Sequence, residues 1–181
     1  MESKDSIVQG SPEIEPDKGK IKDILSYVII TAVVVFLFGF VLKPAVVSGD
    51  SMNDTYKNND VLMCLRQKAP HKGDVVVFKW NEEYLVKRVI AEEGDTINID
   101  FDEGTVTLND EVLSEPYIKE PTHKNEGTAE YPLAVPDSCF FVMGDNRNNS
   151  SDSRNDLIGF VNQDQIIGVV WFKMPDFEGV K

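Results

Sequence analysis

The chain has 181 residues, enough for one globular domain with an attached segment and too few for two full domains. Its net charge of -13, from 31 acidic and 18 basic residues, excludes a nucleic-acid-binding role, which calls for a basic face. Two cysteines, Cys64 and Cys139, lie in the apolar runs "VLMCL" and "SCFFVM" and read as small buried thiols; their spacing offers no metal site, and no cofactor is expected.

Residues 1–23 mix six acids with four lysines around Gly10, Pro12 and Pro16, and read as a disordered tail. Residues 24–42, "ILSYVIITAVVVFLFGFVL", are 19 positions without a charge. At about 1.5 Å per residue such a helix covers roughly 28 Å, close to a hydrocarbon core of about 30 Å. It is apolar on every face, which suits lipid better than a protein core. A cleavable leader would carry roughly 7–15 apolar residues and end in an A-x-A site. This run is longer and continues into "KPAVVSG", so a retained transmembrane anchor is expected. Lys18, Lys20 and Lys22 precede it and Lys43 alone follows at once, which keeps the tail cytoplasmic and puts residues 43–181 outside.

Beyond the anchor the pattern is short, β-branched and aromatic. Strands are expected at 60–66, 74–80, 83–91, 95–101, 105–110, 139–145 and 166–173, divided by turn signals such as Lys72-Gly73, Gly94-Asp95 and Pro136-Asp137. Regularly spaced short strands predict a mainly β domain, an antiparallel barrel-like or folded-over sheet. Residues 114–136 hold four prolines and read as an excursion from the core.

Three stretches carry candidate chemistry. "VVSGDSMNDTY" (46–56) holds Ser48 and Ser51 just after the anchor, while His71 and His123 fall in polar stretches that read as solvated loops. A serine nucleophile here needs a proton acceptor other than imidazole. "YLVKRVI" (84–90) sets Lys87 in an apolar run, with Leu85, Lys87 and Val89 on one strand face and Val86, Arg88 and Ile90 on the other. Both basic side chains could reach solvent on their long stems. A buried lysine would instead lose its proton more readily and could accept one from a serine. "GDNRNNSSDSR" (144–154) reads either as a polar turn or as a satisfied Asp/Arg network.

Together these residues resemble the type I signal peptidases, Gram-positive-like membrane-anchored serine–lysine proteases. The resemblance runs from the anchor through "SGDSM", "GDVVVF", "YLVKRVIAEEGDTI", "VTLNDEVLSEPYI" and "VMGDNRNNSSDSRNDLIGFV", in the family's order. It implies a mostly antiparallel β domain, Ser51 as nucleophile and Lys87 as general base. It implies that Ser150 orients the lysine, with Asp145, Arg147, Asp152, Arg154 and Arg88 as the supporting network. The Ser51 backbone N–H would contribute to an oxyanion hole. Substrates would be signal peptides of exported preproteins, cleaved after A-x-A, with lipid met only through the anchor. The chain departs from the family pattern at Asp54, where a proline is common, and at Gly49, where some members place a serine.

An extended substrate strand is expected to add to a sheet edge, with Val47, Met52, Leu85 and Val86 as pocket walls. Three other readings are weighed. One is a self-cleaving repressor-type serine–lysine protease, against which the anchor counts. A second is a specialised signal peptidase serving one secretion or pilus system. The third is a catalytically silent, membrane-tethered peptide-binding protein, against which Ser51, Lys87 and Ser150 count.

Overall fold

The computed structural model describes residues 18–175. The expected tail lies outside these residues except for Lys18–Asp23, which are helical rather than disordered. Helix α1 spans Lys18–Phe36 and a π-helical turn follows at Leu37–Val41. Lysine and isoleucine are acceptable helix formers, and the last proline before the span, Pro16, precedes the helix, so nothing stops it short of the charged flank. Ile24, Leu25, Val28, Ile29 and Phe36 are all exposed, and residues 22–41 are long and apolar enough to cross a membrane.

The residues from Phe38 onward form a separate compact unit of strands. In chain order these are β1 (Leu42–Val46), β2 (Val61–Leu65), β3 (Val75–Trp80), β4 (Glu83–Ala91), β5 (Thr96–Asp100) and β6 (Thr105–Leu108). They are followed by β7 (Glu111–Val112), β8 (Leu133–Ala134), β9 (Cys139–Met143), β10 (Val161–Asn162) and β11 (Ile166–Lys173). Each of the seven expected strands is present within two residues of its expected ends. β1 was hidden by its apolar sequence and by Pro44. Proline ends the helical run, because the residue before it avoids the α region, and it is tolerated in β1 because β1 is an edge strand.

All strand pairs are antiparallel. One sheet has the order β1-β2-β11-β3-β4-β9-β10 and the other β7-β6-β5-β8. The larger sheet ends on β1 and β10, so it is folded over without closing as a barrel. "VVVF" in β3 is apolar throughout because both faces are covered. Val75 and Val77 join Val47, Met52, Leu62, Cys64 and Val86 on one side, while Val76 and Phe78 join Val89, Val142 and Val169 on the other. A register shift between Val89 and Ala91 turns Ile90 and Ala91 into a third cluster with Ile97, Ile99, Val106 and Phe141, which packs the smaller sheet.

The folding-over matters for the site. β1 and β4 are separated by three strands in the sheet, yet Lys43 Nζ lies 4.9 Å from the centre of the Tyr84 ring. β4 pairs with β3 through residues 83–88 but with β9 only through Arg88, Val89 and Ala91. Its first half therefore has an open edge, and that edge faces the open edge of β1.

Candidate active site

Ser51 follows the end of β1 on a loop fixed at several points. Val47 stays in register beyond the strand, donating its N–H to Asp60 and accepting from Asn59. Gly49 takes φ +87°, the left-handed region that glycine enters without a Cβ penalty, and donates its N–H to Asn58 Oδ1 at 2.9 Å. The Met52 side chain is completely buried and anchors the loop in the apolar cluster beneath it. From the far end of the chain, Asn146 donates its backbone N–H to the Ser51 carbonyl at 3.0 Å and its side-chain amide to the Asp50 carbonyl at 3.0 Å. Asp54, where the family often has proline, is exposed.

Lys87 comes from the middle of β4, opposite Val76 of β3. It is only 3% exposed, and its ammonium nitrogen donates to Ser51 Oγ at 2.7 Å. Burial lowers its pKa from 10.5 to about 8; Asp152, Glu126 and Asp145 oppose the change and Arg154 adds to it. At pH 7 a group with pKa near 8 is about one-tenth neutral, against roughly 0.03% for an ordinary lysine. The neutral amine then sits within hydrogen-bond reach of the hydroxyl whose proton it would accept.

Behind this pair stands a buried ionic network. Asp152 is completely buried and accepts from the Gly144 N–H at 2.9 Å, Ser150 Oγ at 2.7 Å and Arg154 Nε at 2.8 Å. Burial pushes its carboxyl up, but Arg154 and the other donors outweigh this and hold it below the ordinary carboxylate range. Arg154 also donates to the carbonyls of Arg147 and Lys124. Arg88 grips Asp145 with two bonds of 2.8 and 2.6 Å, donates to the Gly73 carbonyl and lies 4.0 Å from the centre of the Tyr117 ring. Thr55, four residues beyond Ser51, donates to the same Asp145 at 2.5 Å. Arg147 makes a two-bonded pair with Glu115 at 2.8 and 2.6 Å and donates to Thr122. Every one of these buried charges is thus paired and hydrogen-bonded, the condition under which charge is tolerated inside a protein.

Gly144 marks where the network touches the Ser51 loop. A Cβ there would collide with Ser150 Oγ and the Ser51 carbonyl, so only glycine allows the two segments to approach this closely.

The expected site residues converge on one region. Lys87 is bonded to Ser51, Ser150 with Asp152, Arg154 and Arg147 forms one bonded group and Arg88 with Asp145 a second, and among the described residues no hydrogen bond joins Ser150 to Lys87. Ser150 spends its hydroxyl proton on Asp152, beside Gly144 and the Ser51 carbonyl. Of the expected pocket walls, Val86 lines a cavity of about 240 Å³ between β1 and β4, together with Lys43, Ala45, Cys64, Val77 and Tyr84. Val47 and Met52 share a cluster with Val86. Leu85 packs instead into the cluster of Val76 and Phe78. Cys64 is buried and its thiol is pushed up to about 11 by burial, whereas Cys139 is half-buried.

Sequence reasoning gave no role to Glu115, Tyr117, Thr122, Asn146 or Thr55. Most of these sit in or beside the proline-rich segment 114–136, expected as an excursion, which here supplies the partners of Arg88, Arg147 and Arg154. Their sequence signal was present in "SEPYI", but a contact across 32 residues leaves no local pattern.

A family profile described as "Signal peptidase, peptidase S26" matches residues 20–174. Signal peptidase I S of Bacillus subtilis (strain 168) is 36% identical over 177 residues, covering 90% of this chain and 95% of its own. Signal peptidase IB of Staphylococcus aureus (strain COL) is 31% identical over 183 residues, covering 88% and 94%. A crystal structure of a signal peptidase I from Enterococcus faecalis V583 is 32% identical over 56% of this chain and 97% of that one, with a TM-score of 0.46. The chain therefore belongs to the peptidase S26 signal peptidase family, serine hydrolases that act on signal peptides.

Proposed function

We propose that this enzyme is anchored in the membrane by residues 24–42, carries residues 43–181 on the outer side, and cleaves preproteins after A-x-A with Ser51 and Lys87. The observation that carries the reading is the 2.7 Å bond between a buried lysine and a serine, with an ammonium whose pKa is pulled down to about 8. Neutral Lys87 takes the hydroxyl proton as Ser51 Oγ attacks the carbonyl carbon of the residue before the scissile bond. The tetrahedral oxyanion is met by the Ser51 N–H, and the resulting Lys87 ammonium returns its proton to the departing amine. Water then attacks the acyl-enzyme and gives one proton to Lys87, which passes it to the departing Ser51 Oγ. Ser51 and neutral Lys87 are thereby regenerated, and the acid product loses its remaining proton to solvent. Arg88, Asp145, Ser150, Asp152, Arg147 and Arg154 hold the loop and the amine in place.

Substrate enters as an extended strand between the open edges of β1 and β4. These two strands run parallel to one another toward the site. The small apolar residues of A-x-A fit the apolar cavity lined by Ala45, Cys64, Val77 and Val86. Tethering by the anchor holds Ser51 near the point where a signal peptide leaves the bilayer, raising its effective concentration there. The three lysines before the span support the outward orientation.

The test is cleavage of an A-x-A preprotein in detergent by the wild type and three variants. Ser51→Ala and Lys87→Arg should both be inactive, the second because guanidinium does not release its proton in this range. Ser48→Ala should remain active. A working Lys87→Arg enzyme would remove the dyad, and loss confined to Ser48→Ala would move the nucleophile.

A further inference from the structure

Alternation along the two open edges gives the substrate slot a further rung. Lys43, Ala45 and Val47 share a face of β1 and its extension, and Tyr84 and Val86 share the facing side of β4. Ala45 and Val47 pack with Val86 in one cluster, and Lys43, Ala45, Tyr84 and Val86 line the same cavity. Beyond the apolar walls, at the end away from Ser51, the slot is spanned by the Lys43 ammonium over the Tyr84 ring, 4.9 Å from its centre.

We propose that Lys43 and Tyr84 form a charge-reading subsite for the fifth residue before the scissile bond, selecting an acidic side chain over a basic one. This rests on the reading that the acyl side of the substrate occupies the β1–β4 slot. A strand that turns its first and third residues before the cut toward Val47 and Ala45 turns its fifth toward Lys43, because strand faces repeat every second residue. The spacing agrees: Lys43 lies four residues before Val47, about 13 Å along the strand at roughly 3.3 Å per residue, the span from the fifth to the first residue before the cut. Lys43 is half-buried on an apolar wall, so its charge is less screened than that of a fully exposed lysine. A carboxylate at this position meets the ammonium at the rim, whereas an incoming lysine or arginine meets a like charge and must displace the cation from the ring. For a partly exposed pair the preference should be about three- to fivefold.

The experiment uses the full-length enzyme in detergent and three fluorogenic peptides, identical except for glutamate, glutamine or lysine five residues before the cut. The wild type should rank them glutamate, glutamine, lysine in kcat/KM, with the spread shrinking as salt is raised. Lys43→Glu should reverse the order, and Lys43→Gln should flatten it. The order of the peptides is the readout, so a general loss of rate does not obscure it. Cleavage of all three peptides without preference, or an unchanged order in Lys43→Glu, overturns the subsite and leaves the Ser51–Lys87 reading standing. Failure of the wild type to cut any of them overturns that reading and the subsite with it.

Discussion

Replacing Lys87 with methionine should abolish catalysis and at the same time make the protein more stable. The side chain is 3% exposed, and burial holds its pKa near 8 against 10.5 for an ordinary lysine. Below pH 8 the amine is protonated in both folded and unfolded chains, and the folded state carries the whole cost of burying that charge, about 3 kcal/mol. Between pH 8 and 10.5 the unfolded chain binds more protons, so the wild type gains stability as pH rises. Above 10.5 the cost is gone. From pH 7 to pH 10 the relief amounts to about 2.5 kcal/mol. Methionine has similar length and no charge, but gives up the bond to Ser51, worth about 1 kcal/mol. Lys87→Met should therefore exceed the wild type by about 2 kcal/mol at pH 7, and the advantage should vanish by pH 10. The assay is urea unfolding of both full-length proteins in the same detergent at pH 7, 8, 9 and 10. Taking the difference between the two cancels the titration of Tyr56, Tyr117 and Tyr131, whose pKa values are raised in the fold. A difference independent of pH would refute a buried lysine held mainly by desolvation.

Two further perturbations probe the support of the proposed Ser51–Lys87 pair. Asp145→Ala leaves buried Arg88 without its two-bonded partner and should cost about 3–5 kcal/mol in chemical unfolding, whereas Thr55→Val, which removes one bond to the same carboxylate, should cost about 1 kcal/mol. Gly144→Ala forces Ser150 and the Ser51 carbonyl apart, and should lower kcat by about 100-fold in protein that still unfolds cooperatively, since a shift of about 1 Å in a reacting group has that effect.

Much of the candidate site was legible because its residues obey local rules. Lys87 stood out as a cation in an apolar strand, and the alternation of Asp and Arg after Gly144 pointed to mutual satisfaction. The period of two puts Leu85 on the strand face opposite Val86, where it packs into the cluster of Val76 and Phe78. What stayed hidden depends on distant contact. Glu115, Tyr117 and Asn146 gain their roles only when the proline-rich segment and the 144–154 loop fold against β4 and the Ser51 loop. β1 was masked because an edge strand ending an apolar run looks like the continuation of the helix.

The most direct measurement of the central claim is the pH dependence of kcat/KM for an A-x-A peptide, from pH 6 to pH 10. If neutral Lys87 is the base, the rate should climb about tenfold per pH unit below pH 8 and level off above it. A profile already flat at pH 7, or one still rising tenfold per unit at pH 10, would mean that the group accepting the Ser51 proton is not this buried lysine.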